Sequence, residues 1–257
     1  MTPKFSENTL KFIIKASKQK KEDWLDKNRD EYERDLQLPL QNLAQYLQSK
    51  LQSSAADYHF PQRGIGRIKR SANRIKEYGT IYKDWINYSA SRPAESRFES
   101  NPNLYFEIDP TDSDGDHVLV AGGLYHPSSA QLRAIRNAIA EDATAFQKLF
   151  ASKSFSSRFK GGFCKDRISS RVTRGFDPEH PRMEWLRLQA FFVWRAYSKK
   201  EFTSPKFPEV VAQDWKQILR LNELLDQTIQ ASNFKIKPKK LISELNALDM
   251  VVRKMDF

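Results

Sequence analysis

Apolar residues recur every three or four positions near both ends of the chain, which is the spacing of amphipathic helices. An N-terminal stripe over Tyr32–Leu51 contains Pro39, which should kink the helix or restart it. Further stripes predict a helix over residues 209–231 and a narrower seam over residues 241–255 that suits one partner helix. The mostly apolar run Met183–Tyr197 predicts a deeply buried helix.

The middle of the chain changes to a period of two, which indicates β-strands. Core and solvent positions alternate along Leu104–Asp109, and a short turn should pair this strand with His117–Tyr125 in a hairpin. Gly64–Ser71 and Ile81–Ser91 are rich in β-branched and aromatic residues, so we predict two more strands. The charged stretch between them, residues 73–80, is expected to be a turn.

Helices at both ends and hairpin-joined strands in the middle predict an α+β fold, with a mainly antiparallel sheet and helices packed on one face. The 257 residues are enough for one large domain. Because the Lys-rich stretch Lys235–Lys240 resembles a linker, we expect a single domain over residues 1–231. Residues 232–257 would then be a linker and a C-terminal helical extension, whose seam leaves a homodimer open.

The charge balance narrows the classes of partner. Forty-three Lys and Arg against 32 Asp and Glu give a formal net charge of +11, which favours contact with anions, nucleic acid among them. The single cysteine, Cys164, excludes an internal disulfide framework and fits a reducing compartment. Since the chain shows neither a signal-peptide pattern nor a run of 18 apolar residues, we expect a cytoplasmic protein with no membrane partner.

Basic side chains are threaded through the apolar stretch Gly64–Tyr88, where they should form one wall of an anion-binding cleft. Arginine holds phosphate or carboxylate through a planar fork of donors. The candidate ligand-binding residues of this first motif are Arg67, Arg70, Arg74, Tyr82 and Lys83. The alternative is that these charges are solvated or paired with acids such as Glu77 and Asp84.

A second motif contains the glycine pair Gly122 and Gly123, followed by His126. Glycines before a helix N-terminus let backbone N–H groups approach an anion, and a histidine can act as acid or base near neutral pH. The capping box Ser128-x-x-Gln131 starts the helix, on which Arg136 is a further ligand-binding candidate. The alternative is a strand-to-helix connection that needs small residues.

A third motif is the proline-bounded loop 174–181. Arg174 is its ligand-binding candidate. Asp177 could orient the imidazole of His180 for general-base work, and these two residues with His126 are the catalytic candidates. The loop could equally be a turn that caps the helix beginning at Met183.

The sequence signals no metal site and no cofactor. Asp112, Asp114 and Asp116 resemble a calcium loop, but Gly115 is at the fourth position and no Glu follows at the twelfth. The four histidines and the single cysteine lack CxxC or HExxH spacing. We therefore interpret the aspartates as a solvated hairpin turn.

The three motifs together resemble a known family. The matching positions are Arg67-Ile68-x-Arg70-x-x-x-Arg74 with Tyr82-Lys83, Gly122-Gly123-Leu124-Tyr125-His126-Pro127 with Leu132-x-x-Ile135-Arg136, and Arg174-Gly175-Phe176-Asp177-x-x-His180-Pro181 with Leu186-x-Leu188. They resemble the uncharacterised family catalogued as domain of unknown function 2461, found in bacteria and fungi, over roughly residues 5–225. The family usually has an Asp at the position of Ser71 and a Pro before Tyr82. The resemblance implies a domain boundary, but it does not imply any particular activity, because the family has no established one.

The leading hypothesis from the sequence is a protein that binds an anionic ligand, bearing phosphate or carboxylate, in a basic cleft built by the three motifs. One alternative is a nucleic-acid-binding protein, favoured by the net charge and the basic stretch Lys235–Lys240. Another is an enzyme that uses His/Asp acid–base chemistry in the same cleft.

Overall fold

The computed structural model describes residues 3–93, 100–111 and 116–252 of the chain. The strands are β1 (Ile86–Ser91), β2 (Asn103–Ile108), β3 (Asp116–Leu124) and β4 (Phe191–Ser198). The helices are α1 (Glu7–Ser17), α2 (Trp24–Lys27), α3 (Arg29–Tyr32), a π-helical segment (Glu33–Gln37), α4 (Leu38–Leu51), α5 (Ala72–Tyr78), α6 (Ser129–Glu141), α7 (Thr144–Ala151), α8 (Lys153–Ser156), α9 (Met183–Leu186), α10 (Lys199–Phe202) and α11 (Phe207–Val252). The four strands form one antiparallel sheet in the order β1-β2-β3-β4, which confirms the predicted α+β class.

The register divides the sheet into two faces, because residues opposite one another in antiparallel strands share a face. One face, the core face, is buried; Leu104, Phe106 and Ile108 are its residues on β2. The other face, the open face, contains the residues between them. Its members, row by row from β1 to β4, are Ser91, Asn103, Gly123 and Phe192; Ser89, Tyr105, Ala121 and Trp194; and Asn87, Glu107, Leu119 and Ala196.

Helix α11 packs against the core face and is tied to β2 by side-chain hydrogen bonds. Trp215 is fully buried, and its Nε1 donates to the carbonyl oxygen of Tyr105 at 3.2 Å. About two turns further on, Asn222 Nδ2 donates to the carbonyl oxygen of Asn103 at 3.0 Å. A Cβ at Gly122 would lie 2.3 Å from Ile218 Cγ2, so the helix approaches the strand at contact distance there.

Pro39 falls in the first turn of α4, directly after the π-helical segment. The helix continues through Pro39 and does not restart, because Gln37 and Leu38 both have helical backbone angles. The change to π-helical winding comes just before the residue that has no N–H to donate. The predicted apolar stripe is confirmed, since Tyr32, Leu36 and Leu43 are buried.

The prediction of a strand over Gly64–Ser71 is wrong. Gly64 and Gly66 have φ angles of 73° and 72°, which are incompatible with an extended strand, and only one isolated bridge joins Lys69 to Tyr82. The expected turn over residues 73–80 is instead helix α5, which Gly79 ends in the left-handed conformation. None of the residues of α5 is buried, so its sequence shows no apolar stripe.

The prediction of a buried helix over Met183–Tyr197 is also wrong. Only α9 is helical there, and the chain then becomes β4. Phe191 and Val193 point to the core face, while Phe192 and Trp194 belong to the open face. Because both faces of the strand are apolar at this point, the alternation that identifies a strand is hidden.

The C-terminal backbone is helical without a break from Phe207 to Val252, including the stretch Lys235–Lys240 for which the sequence predicts a linker. The division of the chain at residue 231 stays a prediction. Asp112 and Asp114 of the calcium-like turn, and the side chains of the seam at residues 241–255, lie outside the described residues. None of the helices described is both long enough and apolar enough to cross a membrane.

We predict that Gly122→Ala destabilises the protein by about 3 kcal/mol, because the new methyl group would overlap Ile218 and the carbonyl oxygen of Asn103. Gly161→Ala is the matched control: its Cβ would meet nothing within 4 Å, and only its positive φ adds a cost of about 1 kcal/mol. Urea unfolding of both variants measures the difference. Equal losses would contradict the close approach of α11 to β3.

Candidate functional site

The open face of the sheet holds a cavity of about 600 Å³. Tyr105, Ala121 and Trp194 form one row of its floor, since the register places them opposite one another. Tyr125 and His126, which follow β3, line the cavity as well. The cavity is thus built by β2, β3 and β4 and by the connection that follows β3.

Four aromatic side chains dominate the apolar part of the cavity: Tyr105, Tyr125, Phe192 and Trp194. The Tyr125 ring meets the Phe192 ring edge to face, with centroids 5.0 Å apart. Tyr125 and Trp194 are nevertheless 46% and 41% exposed. Large aromatic side chains left this exposed at a concave surface offer faces on which a flat molecule can stack.

Glu107 is a half-buried acid at one side of the cavity. The Tyr105 hydroxyl donates a hydrogen bond to Glu107 Oε2. Burial raises the pKa of Glu107 above its usual value, the Tyr105 hydrogen bond opposes this, and the nearby charge of Asp109 raises it further. Within the described residues, no Lys or Arg forms an ion pair with this carboxyl group.

His126 stands at another side of the cavity and is in contact with Arg167. The Arg167 guanidinium nitrogen Nη1 lies 3.1 Å from His126 Nδ1 and 2.9 Å from the carbonyl oxygen of Tyr125. Because a guanidinium can only donate, Nδ1 must accept, and the neutral imidazole carries its proton on Nε2. The guanidinium also lies over the Tyr125 ring at 4.9 Å.

The indole of Trp194 is oriented by the single cysteine. Trp194 Nε1 lies 3.0 Å from Cys164 Sγ and donates to it, and the backbone N–H of Cys164 donates to the carbonyl oxygen of Phe192. Burial raises the pKa of the Cys164 thiol. The thiol therefore stays protonated at neutral pH and acts as a support for the cavity wall.

The structure separates the first basic motif from this cavity. The motif precedes β1, which begins at Ile86 opposite the last residue of β2, whereas His126 follows the far end of β3. From Ile86 to Ser91 the strand rises about 16 Å. The first and second motifs therefore lie at opposite ends of the sheet and do not form one cleft on it.

Within the first motif, the structure does bring three cations together. Burial lowers the pKa of Lys83, and the charges of Arg70 and then Arg67 lower it further. The Arg70 side chain is only 7% exposed, stacks on Tyr78 at 4.5 Å, and reaches Asp84 at 3.5 Å. In the part of the chain that is described, Arg67 and Lys83 form no ion pair with an acid.

Two other residues of the first motif that the sequence predicts to bind a ligand, Arg74 and Tyr82, are engaged in contacts within the protein. Arg74 pairs with Glu77 at 2.8 Å on the exposed surface of α5. Tyr82 is buried, and its hydroxyl group bonds backbone groups of Lys21, Glu22 and Leu25. These contacts hold the segment before β1 against the N-terminal helices.

The glycine pair lies inside β3 and does not form a loop before the helix. Gly122 faces α11, and Gly123 has a φ of 120° with the carbonyl oxygen of Phe191 2.4 Å from where a Cβ would be. The helix that follows satisfies its own N-terminus, because the predicted capping box between Ser128 and Gln131 forms in both directions. Both glycines are required by close packing.

Arg136 and the loop 174–181 are held by backbone groups. Arg136 Nη2 donates to the carbonyl oxygen of Leu188 at 2.7 Å, and burial lowers the pKa of its guanidinium. Arg174 is exposed. His180 Nδ1 accepts from the backbone N–H of Arg182 at 3.0 Å, so its Nε2 is the donor that faces the carbonyl oxygen of Ala140 at 3.3 Å.

Asp177 does not orient His180. Its Oδ1 instead accepts from the backbone N–H of Glu179 at 3.0 Å, and both imidazole nitrogens of His180 face backbone groups. The loop, which precedes α9, is thus anchored to the C-terminal end of α6. Of the residues proposed for catalysis, His126 alone lines the cavity.

Most of the cavity residues were not singled out by the sequence. Tyr105 and Glu107 occupy the positions of β2 that alternate with its core residues and are predicted to face solvent, and Phe192 and Trp194 fall in the predicted helix Met183–Tyr197. The sequence offers one signal, an aromatic side chain, Tyr105, at a position predicted to face solvent. No group of three or more His, Cys, Asp or Glu in the described ranges could hold a metal ion.

We predict that His180→Ala lowers the free energy of unfolding by about 1–2 kcal/mol, since it leaves the backbone N–H of Arg182 without its acceptor and removes one of the two donors to the carbonyl oxygen of Ala140. Asp177→Ala, an exposed change in the same loop, should cost about 0.5 kcal/mol or less. Chemical denaturation measures both. If the two variants were equally destabilised, a functional Asp177–His180 pair would regain support.

Comparison with known proteins adds a family. No curated protein and no solved structure matches the chain. The family model described as "Conserved hypothetical protein (DUF2461)" matches residues 8–224, a range that includes the whole sheet and all three basic motifs. This confirms the resemblance inferred from the motifs, and the chain belongs to the DUF2461 family.

Proposed function

We propose that the protein binds a small organic molecule in the cavity on the open face of the sheet. The observation that supports this is the combination of four aromatic side chains with a half-buried carboxyl group around one cavity of about 600 Å³. Small-molecule sites are typically concave, mostly apolar, and provided with a few convergent polar groups. An acid with a raised pKa in such a cavity is a further mark of a functional site.

The geometry also explains how a ligand could be held without disturbing the fold. Tyr105 and Trp194 belong to strands whose other face is packed into the core, so the backbone beneath the cavity is fixed. Trp194 is oriented further by its hydrogen bond to Cys164. A site on such supported side chains loses little conformational entropy when a ligand binds.

Filling the cavity from its floor tests the proposal. Ala121→Leu adds a larger side chain between Tyr105 and Trp194, and we expect it to weaken binding of any ligand found by a thermal-shift screen at least tenfold. Ala196→Leu is the matched control, because it lies on the same face but does not line the cavity. Its affinity should stay within twofold of the unaltered protein. Equal effects in both variants would place the ligand elsewhere.

A second candidate is the binding of phosphate or carboxylate by Arg67, Arg70 and Lys83 of the first motif. The observation that favours it is that Lys83 is half-buried and forms no ion pair with an acid among the described residues; burial, and then the charges of Arg70 and Arg67, lower its pKa. A half-buried ammonium group with like charges nearby is stabilised by an anion. This site is smaller than the cleft expected from the sequence, because it uses the first motif alone.

Inorganic phosphate is the probe for this second site. We expect it to raise the melting temperature of the unaltered protein and of Lys76→Met, which removes an exposed cation from α5. Lys83→Met keeps the apolar part of the side chain but should abolish the shift. An equal shift in both variants would show that phosphate acts through general charge screening.

The nucleic-acid-binding and acid–base enzyme alternatives stay predictions from the sequence, as does a homodimer through the C-terminal seam. The cytoplasmic location is likewise a proposal, supported by the presence of one cysteine in 257 residues.

A further inference from the structure

We propose that the ligand of the open-face cavity is a flat aromatic molecule that carries a protonated amine, and that its ammonium group pairs with Glu107. This inference rests on the proposed function and names the class of molecule that the cavity recognises. It differs from the expectation raised by the net charge of +11, which favours anions.

The cavity contains an unbalanced negative charge at Glu107. Glu107 is half-buried, accepts one hydrogen bond from Tyr105, and has no cation as a partner among the described residues. Two further acids add negative charge: Asp109 lies close enough to act on Glu107, and Asp166 lines the same cavity. Since buried charges in proteins are normally paired, a cavity with this composition is completed by a cation.

The aromatic walls of the cavity favour a flat, positively charged ligand. The faces of Tyr and Trp rings carry negative electrostatic potential, and they attract cations as well as flat apolar groups. Tyr125 and Trp194 are exposed at the cavity despite their size. The Tyr125 ring already accepts one cation, because the Arg167 guanidinium lies 4.9 Å from its centroid.

The acids that line the cavity disfavour a negatively charged ligand. An anionic ligand would meet Glu107 and Asp166, and like charges at close range disfavour binding. The cation that contacts two residues of the cavity wall, Arg167, is already engaged with His126 and with the carbonyl oxygen of Tyr125. The local charge of the cavity is therefore opposite in sign to the charge of the whole chain.

Three indole probes that differ in charge test the inference by isothermal titration calorimetry of the full chain at pH 7. Tryptamine is protonated, 3-methylindole is neutral, and indole-3-acetate is an anion. We expect tryptamine to bind at least tenfold more tightly than either of the others. Glu107→Gln should remove this advantage while leaving the affinity for 3-methylindole within twofold. Glu179→Gln, an exposed change on the loop 174–181, should leave all three affinities unaltered.

The outcomes separate the two proposals. If 3-methylindole or indole-3-acetate binds as tightly as tryptamine, and Ala121→Leu blocks that binding, the inference fails while the proposed function stands. If tryptamine does not bind at millimolar concentration, the inference also fails, and the wider screen with Ala121→Leu decides the proposed function. The ranking of the probes on the unaltered protein is informative even if Glu107→Gln fails to fold.

Discussion

The packing of helix α11 against the sheet is the contact on which the rest of the structure depends. It requires a glycine in β3, where the helix comes within contact distance, and it uses Trp215 and Asn222 to bond backbone carbonyls of β2. Because this helix covers one face of the sheet, the core forms on that side. The polar and aromatic side chains of the other face are therefore not needed for core packing. The cavity follows from that division between a packed face and an open one.

The sequence predicts the elements whose surroundings are simple. β2 alternates clearly because only one of its faces is in the core, and the capping box at Ser128 is a local pattern that needs no tertiary contact. β4 fails this test because Phe191 packs in the core while Phe192 lines the cavity, so both faces look apolar. Gly64 and Gly66 break the strand predicted at the first motif, since their backbone angles are set by the turn they form.

The candidate site was harder to predict than the fold for a topological reason. Spacing along the chain shows that basic residues recur, but it does not show at which end of a sheet they lie; the register places Lys83 and His126 at opposite ends. Each of β2, β3 and β4 contributes residues spaced by two along its own sequence to the cavity. Residues from different strands come together only when the strands pair. Glu107 illustrates the result, since an isolated acid in the sequence becomes a half-buried carboxyl group that pairs with no Lys or Arg of the described residues.

The alternation along β2 has a consequence for how such proteins can diverge. Adjacent residues of the strand have independent roles: Phe106 packs in the hydrophobic core, and Glu107 lines the cavity. Substitutions at every second residue of the strand can therefore change which ligand binds while the core residues that stabilise the fold stay the same. Homologous proteins with the same fold can therefore differ in ligand specificity.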